Sequence, residues 1–415
     1  MSIRGNLVYS ALLTMRTYLV PLLVFPYISR VLGADGIGIV DTVDNIIDYC
    51  VLFSMMGLST IGIREIARAK SDAKQLAQTF TDLYALNVIS TIVIALILIC
   101  ATLVIPNMND RWPMILIGSV KLFANMFWIE WFFTGIEDFR FITVRSIIVR
   151  TLFVISVFLF VNTKDDYMVY YMLFVGITVL NAICNWHYRA RLFSINLCTA
   201  NFRRFLKPFL ALGLFAMLSA IYTKLSLPVL NYYCGDLESG YYATAMRIYQ
   251  VCIALVSTLI GVLVPRISVL LKEGDIQQIK KLTRKTFMAL IAFSLPIILV
   301  IFFFGNVIVC IIAGDGYQGA VLPMQIIALL LLIGGVEKIV ILQLLIPMRA
   351  DRQIVIAGFL GVIVWGLGTW ILVEKYQSVG SAIVWVIAET TVLMSASISL
   401  YKIFRNEISH RNSNI

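Results

Sequence analysis

The chain has 415 residues, of which 60% are hydrophobic and 13% are charged, and its formal net charge is +10. Its mean hydropathy is +0.92, whereas roughly 25% of the residues of a soluble domain are charged. These values exclude an ordinary soluble protein and indicate an integral membrane protein.

The apolar runs predict an all-α fold with about twelve transmembrane helices, because ~20 residues of helix cross the ~30 Å hydrocarbon layer. In chain order, the predicted spans cover residues 8–30, 38–62, 78–104, 113–134, 143–162, 168–188, 208–232, 240–264, 286–306, 320–346, 353–373 and 380–402.

Residues 12–70 recur without gaps at an offset of 202, with 11 identities in 59 positions. Chance would give about four in so apolar a composition. Gly33 and Gly235 are one related pair, and we expect each to lie in the outer turn between the first two helices of its copy. Six spans separate the copies, which predicts two pseudo-symmetric six-helix lobes related by an axis along the membrane normal. The predicted domains are an N-terminal lobe at 1–190, a cytoplasmic linker at 191–207, and a C-terminal lobe with a short tail at 208–415.

The positive charge is distributed asymmetrically between the loops. With a cytoplasmic amino terminus, 22 Lys and Arg residues fall on the inner side, against three on the outer side. Positive residues accumulate on the cytoplasmic side of membrane proteins. Both termini are therefore predicted to be cytoplasmic, and the charge does not require a nucleic-acid partner.

Residues for enzyme chemistry are scarce. The chain has two histidines, and its seven cysteines include no Cys-x-x-Cys pair, so we expect no metal site and no cofactor. The longest polar stretches, 189–207 and 265–285, are about half the ~40 residues that an unassisted domain needs. The sequence therefore predicts a protein that is not an enzyme.

The second predicted span has a polar face. A charge at the centre of a span costs about 2.5–3.5 kcal/mol unless it is paired or faces a cavity. The residues of this acidic strip share one helical face and are Asp41, Asp44, Asn45 and Asp48. The strip either pairs with Arg16 or Arg247, which would hold the lobes together, or lines a water-filled cavity.

Three cations are candidate substrate ligands. Arg16 lies ~15 Å into the first helix, while Lys224 and Arg247 lie in the outer halves of theirs, and the repeat places Arg247 at the position of Asn45. Three cations at successive depths along the axis would suit a diphosphate. Arg presents a planar pair of N–H donors to phosphate oxygens, and Lys presents a single point charge. The alternative is an internal ion pair with an aspartate of the second span.

Three segments resemble a known family: 25-FPYISRVLGADGIG-38, 57-GLSTIGIREIAR-68 and 128-WIEWFFTGIEDFRFITVRSI-147. They look like the O-antigen (Wzx-type) polysaccharide flippases, which share a superfamily and a MATE-like fold with the multidrug and toxic-compound extrusion antiporters. The resemblance covers nearly the whole chain. The positions that match the family pattern are Pro26, Tyr27, Arg30, Gly33, Arg64, Glu65, Glu130, Trp131, Gly135, Glu137, Phe139 and Arg145.

The resemblance implies a flippase in a bacterial cytoplasmic membrane. It would move an undecaprenyl-diphosphate-linked oligosaccharide to the outer leaflet by alternating access, for surface polysaccharide biosynthesis. The family suggests a polymerase and glycosyltransferases as partners, and a monomer is expected because each lobe has its mate in the chain. The aspartates Asp41, Asp44 and Asp48 make the first lobe more acidic than the family pattern, so they are candidates for coupling transport to protons or Na⁺.

Three alternatives stay open at this point. An ion-coupled exporter of small organic cations would use the aspartate face as its binding site, although Arg16, Lys224 and Arg247 would oppose such a substrate. A membrane glycosyltransferase or ligase would ordinarily need a large outer loop, and the longest outer loop here is 305–319. A lipid II flippase belongs to the same class but commonly has further helices.

Overall fold

A computed structural model of the chain describes residues 3–195, 200–261, 263, 267, 270–271, 273, 275–348 and 350–412. Within that part of the chain, every regular element is a helix. The chain divides into two compact units, Met1–Ala220 and Ile221–Ile415.

Nine α-helices are described that begin within the first unit. They are α1 (Ile3–Met55), α2 (Leu58–Ala69), α3 (Ala73–Val104), α4 (Pro106–Asn109), α5 (Trp112–Phe127), α6 (Glu130–Gly135), α7 (Phe139–Phe160), α8 (Tyr167–Ala190) and α9 (Arg203–Lys224). A short 3₁₀ helix, Lys164–Asp166, precedes α8.

The second unit contains longer helices. They are α10 (Ser226–Gly261), α11 (Ile276–Ile312), α12 (Val321–Ala328), α13 (Leu330–Lys338) and α14 (Asp351–Asn412). A 3₁₀ helix, Asp315–Ala320, precedes α12, and a π-helical segment, Ile339–Leu345, follows α13.

Single residues with positive φ interrupt three of the long helices in the described part of the chain. Gly33 in α1 has φ 70° and Gly235 in α10 has φ 82°, a left-handed region that glycine adopts without a side-chain clash. These are the two glycines that the sequence repeat relates. The turn expected over 33–38 is confined to Gly33, because the helix resumes at Ala34. In α14 the interruption is at Gln377, with φ 54°.

One predicted span has a wrong boundary. The span expected over 38–62 ends at Met55, because Met56 adopts φ 36° and α2 then leaves at an angle of 40°. The span expected over 113–134 corresponds to the apolar stretch Trp112–Gly135. Its helix is interrupted at Trp128, whose indole Nε1 donates to Oε2 of Glu130 at 2.9 Å, and α6 then begins as a separate short helix.

The long helices are apolar enough to cross a membrane. Seven of those described pass this test, or eight if α1 and α2 count as one bent span. Large apolar side chains are exposed along them, such as Leu103 and Val104 in α3 and Phe303 in α11. Side chains like these face lipid without cost, and a helix satisfies its own backbone hydrogen bonds there. The prediction of an all-α membrane protein is confirmed.

An aromatic core fills the first unit where α2, α3 and α6 meet. Phe80 stacks on Trp131 with ring centroids 5.4 Å apart, and it meets Phe132 edge-on at 5.2 Å. Phe205 and Phe209 of α9 are buried in the same cluster. The start of α9 therefore packs on the first unit.

Candidate functional site

The acidic strip of α1 contains an ion cluster. Lys121 of α5 places its Nζ 2.6 Å from Oδ1 of Asp44 and 2.7 Å from Oδ1 of Asp48. The Lys121 side chain is only 12% exposed. Asn45 donates its amide to the backbone oxygen of Asp41 at 2.8 Å. One ammonium thus lies between two carboxylates inside the unit.

The surroundings of Lys121 are tightly packed. Gly118 lies one turn earlier on α5, and a Cβ atom there would be 2.6 Å from the Tyr171 hydroxyl and 2.5 Å from Ile47. The ring of Phe174 lies 5.1 Å from Lys121 Nζ, in cation–π range. The Tyr171 hydroxyl is buried and has no hydrogen-bond partner among the described residues. Gly118 therefore allows α5 close to α1 and α8, which brings the ammonium to the aspartates.

The structure adds a partner that the expected pairing did not include. Both Asp44 and Asp48 bond to Lys121 of their own unit, while the pairing of the strip with Arg16 or Arg247 stays a prediction. The spacing of the aspartates predicts that they share one helical face. It does not predict their partner, because Lys121 lies 73 residues from Asp48 and 77 residues from Asp44 along the chain.

A second ion cluster joins α6, α7 and α8. Arg145 places Nη2 3.3 Å from Oε1 of Glu130 and also donates to the side-chain oxygen of Asn185. Trp128 holds the other oxygen of Glu130. Arg145 is buried, so Glu130 and Asn185 supply the partners that a charge in this environment needs.

A third cluster attaches the segment before α9 to the first unit. Asp82 of α3 is buried, and its carboxylate accepts from Arg204 at 2.8 Å, from the Asn201 backbone N–H at 2.7 Å and from Gln78 at 2.8 Å. Sequence analysis did not select Asp82 as a site residue. In the sequence Asp82 can be recognised as an isolated acidic residue near the start of a strongly apolar helix.

Acidic side chains also lie inside the second unit. Glu337 is on α13 and Glu389 is on α14, and both are half-buried. Trp385 donates its indole N–H to Oε1 of Glu389 at 3.3 Å.

Comparison with known proteins identifies the family. The model of the family described as "Polysaccharide biosynthesis protein" matches residues 3–271, which is more than half of the chain. The chain belongs to this family. The resemblance to polysaccharide exporters noted from the sequence motifs is thereby confirmed.

Curated relatives of this polysaccharide biosynthesis protein match over most of its length. One from Escherichia coli (strain K12), named as an O-antigen transporter, is 23% identical over 403 residues, covering 94% of this chain and 95% of the relative. One from Shigella dysenteriae with the same name is 23% identical over 386 residues, covering 91% and 94%. These relatives are transporters and not enzymes, as the sequence predicts.

Solved structures of membrane transporters share the fold. The lipid II flippase MurJ in an inward closed conformation aligns with a TM-score of 0.79 at 15% identity, covering 95% of this chain and 87% of its own. The MATE transporter VcmN of Vibrio cholerae aligns with a TM-score of 0.58 at 16% identity, covering 97% and 95%. The polysaccharide biosynthesis protein thus has the fold of this transporter group.

Two motif segments of the family member pack against each other. Gly62 of α2 faces the indole of Trp131, and Gly135 at the end of α6 faces Ile66 of α2. A Cβ atom at Gly135 would lie 2.7 Å from Cγ2 of Ile66. The segments 57–68 and 128–139 therefore form one interface.

Several motif residues make structural contacts. Arg30 donates Nη1 to the backbone oxygen of Pro26 at 2.6 Å, and the Tyr27 hydroxyl donates to the backbone oxygen of Val161 at 2.8 Å. On the exposed side of the unit, Arg64 pairs with Glu65 at 2.8 Å. The Tyr27 contact joins the end of α7 to α1 shortly before the break at Gly33.

Glu137 lies in the turn between α6 and α7. Its backbone is left-handed, with φ 65°. Its carboxylate pairs with Lys70, the residue that follows α2, at 2.9 Å. Both side chains are exposed, so this ion pair forms at the surface of the motif interface.

The predicted substrate cations occupy three helices. Arg16 is in α1, although its side chain lies outside the described part. Lys224 ends α9, and Arg247 is in α10; both are half-buried. Their joint action on a substrate, together with Asn45, remains a prediction.

Proposed function

We propose that the protein is a flippase for an undecaprenyl-diphosphate-linked oligosaccharide in a bacterial cytoplasmic membrane, serving surface polysaccharide biosynthesis by alternating access. The observation that carries the proposal is the full-length match to relatives named as O-antigen transporters. The fold shared with a lipid II flippase supports it, because that protein is named for a lipid substrate.

We further propose twelve membrane crossings in two six-helix lobes with both termini in the cytoplasm. The breaks at Gly33, Gly235 and Gln377 support this number, since each divides one long helix into two segments. The excess of Lys and Arg in the predicted inner segments supports the orientation.

In this proposal Arg16, Lys224 and Arg247 bind the diphosphate, and Asn45 contributes a polar group to the passage. Arginine binds phosphate oxygens through two parallel N–H···O hydrogen bonds. A lipid alcohol without a diphosphate would offer no oxygens for such a pair of bonds. The sugar requires a hydrated path, while the lipid tail stays in the bilayer. A polymerase and glycosyltransferases are proposed partners of a monomeric flippase.

Coupling of transport to an ion through Asp41, Asp44 and Asp48 is a narrower proposal. Lys121 already compensates Asp44 and Asp48, so a coupling ion would have to displace its ammonium. For the same reason the cluster is a less favourable site for an organic cation, which argues against the multidrug antiporter alternative.

The test is flipping in liposomes. The full chain is reconstituted with a labelled undecaprenyl-diphosphate oligosaccharide, and arrival of the label in the opposite leaflet is measured. Arg16→Ala and Arg247→Ala are compared with Lys375→Ala, an exposed cation that serves as the matched control. We expect at least tenfold slower flipping in the first two and an unchanged rate in the control.

Two results would overturn the proposal. Wild-type protein that is folded but does not flip the lipid, while exporting a small organic cation, would favour the antiporter. Equal flipping by Arg247→Ala, Arg16→Ala and wild type would remove both arginines from the substrate site.

A further inference from the structure

An apolar cavity lies between α10 and α11 of the second unit. Its volume is about 260 Å³. Val256 and Ile260 of α10 and Leu290 of α11 line it and are buried, whereas Lys285 and Ala289 of α11 line it and are exposed. The cavity is therefore closed by packed apolar side chains on one side and open to the surface of the unit on the other.

The described lining of the cavity does not suit water or a sugar. Thr286 is the uncharged polar residue of this lining, and its hydroxyl donates to the backbone oxygen of Leu282 in its own helix at 3.1 Å. A buried water needs about two to four polar partners, whereas an apolar cavity of roughly 150 Å³ stays dry and accepts benzene. The cavity therefore suits hydrocarbon, such as part of an acyl chain.

The rim of the cavity is cationic. Four exposed basic residues lie in the first turns of α11, and they are Lys280, Lys281, Arg284 and Lys285. No acid in the described part of the chain forms an ion pair with any of the four. Asp275, which precedes α11, caps the helix by accepting from the backbone N–H of Gln278 at 2.9 Å. The four cations can therefore attract an anion from outside the protein.

The cavity extends from these cations into the apolar part of α11. No charged residue follows Lys285 until Asp315, so Lys285 lies where the apolar stretch begins. Phe293, which also lines the cavity, is eight residues further on, or ~12 Å along the helix. Phe287 and Met288 on the same part of α11 are exposed. In a membrane, Lys285 would lie at the level of the lipid headgroups and Phe293 at the level of the acyl chains.

We propose that this cavity binds a bilayer phospholipid with an anionic headgroup: one acyl chain fills the cavity, and the headgroup phosphate lies against Lys285 and the neighbouring basic residues. Basic residues at a membrane surface attract anionic lipids, and each one adds to the attraction. A zwitterionic phospholipid with the same chains carries a cation of its own in the headgroup, so it gains less from this rim.

The lipid site is separate from the proposed substrate cations and goes beyond the proposed function. Arg247 precedes Ile260 by 13 residues, which is ~20 Å along α10. The bound chain would lie beside the buried cluster of Val256, Ile260, Leu290 and Ile339. A ligand that binds only the folded state stabilises it, so we expect an anionic phospholipid to raise the melting temperature of the protein.

Native mass spectrometry of the purified full-length protein measures the lipid directly. The protein in detergent is titrated with dioleoylphosphatidylglycerol and, separately, with dioleoylphosphatidylcholine, which has the same chains but no net charge. Wild type should bind the anionic lipid about fivefold or more tightly than the zwitterionic lipid. Lys285→Gln should weaken binding of the anionic lipid about fivefold and leave the zwitterionic lipid unchanged. Lys164→Gln, at an exposed lysine of the first unit, is the matched control and should bind both lipids as wild type does.

A second substitution tests the chain and not the charge. Ala289→Trp places an indole in the open side of the cavity, so binding of both lipids should weaken about tenfold through lost apolar contact. Ala292→Trp is the matched control, because Ala292 is exposed on the same helix and is not among the residues that line the cavity. Melting temperatures without lipid show whether each variant is folded. Lys285→Gln changes an exposed side chain, so the test does not depend on folding of the tryptophan variants.

Three results would overturn the proposal. They are equal binding of the two phospholipids by wild type, binding by folded Ala289→Trp equal to that of Ala292→Trp, and displacement of the anionic phospholipid by an equal concentration of undecaprenyl phosphate, which would assign the cavity to the transported lipid. The liposome assay separates this proposal from the flippase. Selective phospholipid binding without flipping leaves the lipid site intact, and flipping without selective binding leaves only the flippase.

Discussion

Gly62 and Trp131 are in direct contact: a Cβ atom on Gly62 would lie 2.4 Å from Cε3 of the indole. The indole also stacks on the buried ring of Phe80, which keeps it in place. A side chain at position 62 can therefore be accommodated only if α2 moves away from α6.

This contact predicts that alanine lowers the stability of the protein at Gly62 but not at Gly176. Gly62→Ala should destabilise the protein by about 1–3 kcal/mol, the usual range for overpacking a filled core. Gly176→Ala in α8 is the matched control, because nothing lies within 4 Å of a Cβ atom there. It should be neutral or stabilising, since alanine favours a helix over glycine by roughly 1 kcal/mol. Thermal unfolding in detergent measures both, and equal melting temperatures would contradict the packing.

Removal of the Lys121 ammonium should be more damaging. Lys121→Met removes the ammonium that lies between the half-buried carboxylates of Asp44 and Asp48, and removing one partner of a buried ion cluster costs about 3–5 kcal/mol. Lys164→Met, at an exposed lysine, should change stability by less than about 0.5 kcal/mol.

The aspartates provide the compensating change. The triple variant Lys121→Met, Asp44→Asn, Asp48→Asn removes the ammonium together with both carboxylates, so most of the lost stability should return. If the triple variant unfolds as readily as Lys121→Met alone, the loss comes from packing around Lys121 and not from its charge.

Asp82 should control the segment that precedes α9. Asp82→Ala removes the acceptor shared by Arg204, Gln78 and the Asn201 backbone N–H. We expect at least tenfold faster hydrogen–deuterium exchange of backbone amides over 200–205. Asp165→Ala removes an exposed carboxylate and should leave this exchange unchanged. Protection equal to that of wild type in Asp82→Ala would mean that the apolar contact of Phe205 is sufficient to hold the segment.

Two substitutions at Glu137 separate the effect of its backbone conformation on stability from the effect of its charge. Glu137→Gly relieves the left-handed conformation, worth about 1 kcal/mol, and loses an exposed ion pair with Lys70, worth about 0.2–1 kcal/mol. Glu137→Gln loses the ion pair without the backbone gain. The glycine variant should therefore melt at a higher temperature than the glutamine variant. The reverse order would indicate that the side chain at position 137 stabilises the turn by contacts beyond the ion pair.

The sequence by itself determined the class of the protein. A composition this apolar can satisfy its backbone in a bilayer only as helices, and the internal repeat marked Gly33 and Gly235, both of which adopt positive φ. The motif segments at 57–68 and 128–139 indicated the family correctly. Local pattern is sufficient for these conclusions, because helix formation and backbone conformation depend on neighbouring residues.

Only the tertiary structure decided which charges are partners. Lys121 is 77 residues from Asp44 along the chain, and the backbone N–H of Asn201 bonds to Asp82 across 119 residues. Spacing along one helix gives a face but not the group opposite it. For the aspartates of α1 that group is set by how closely α5 approaches α1 at Gly118, so the electrostatic character of the first unit follows from contacts between distant residues.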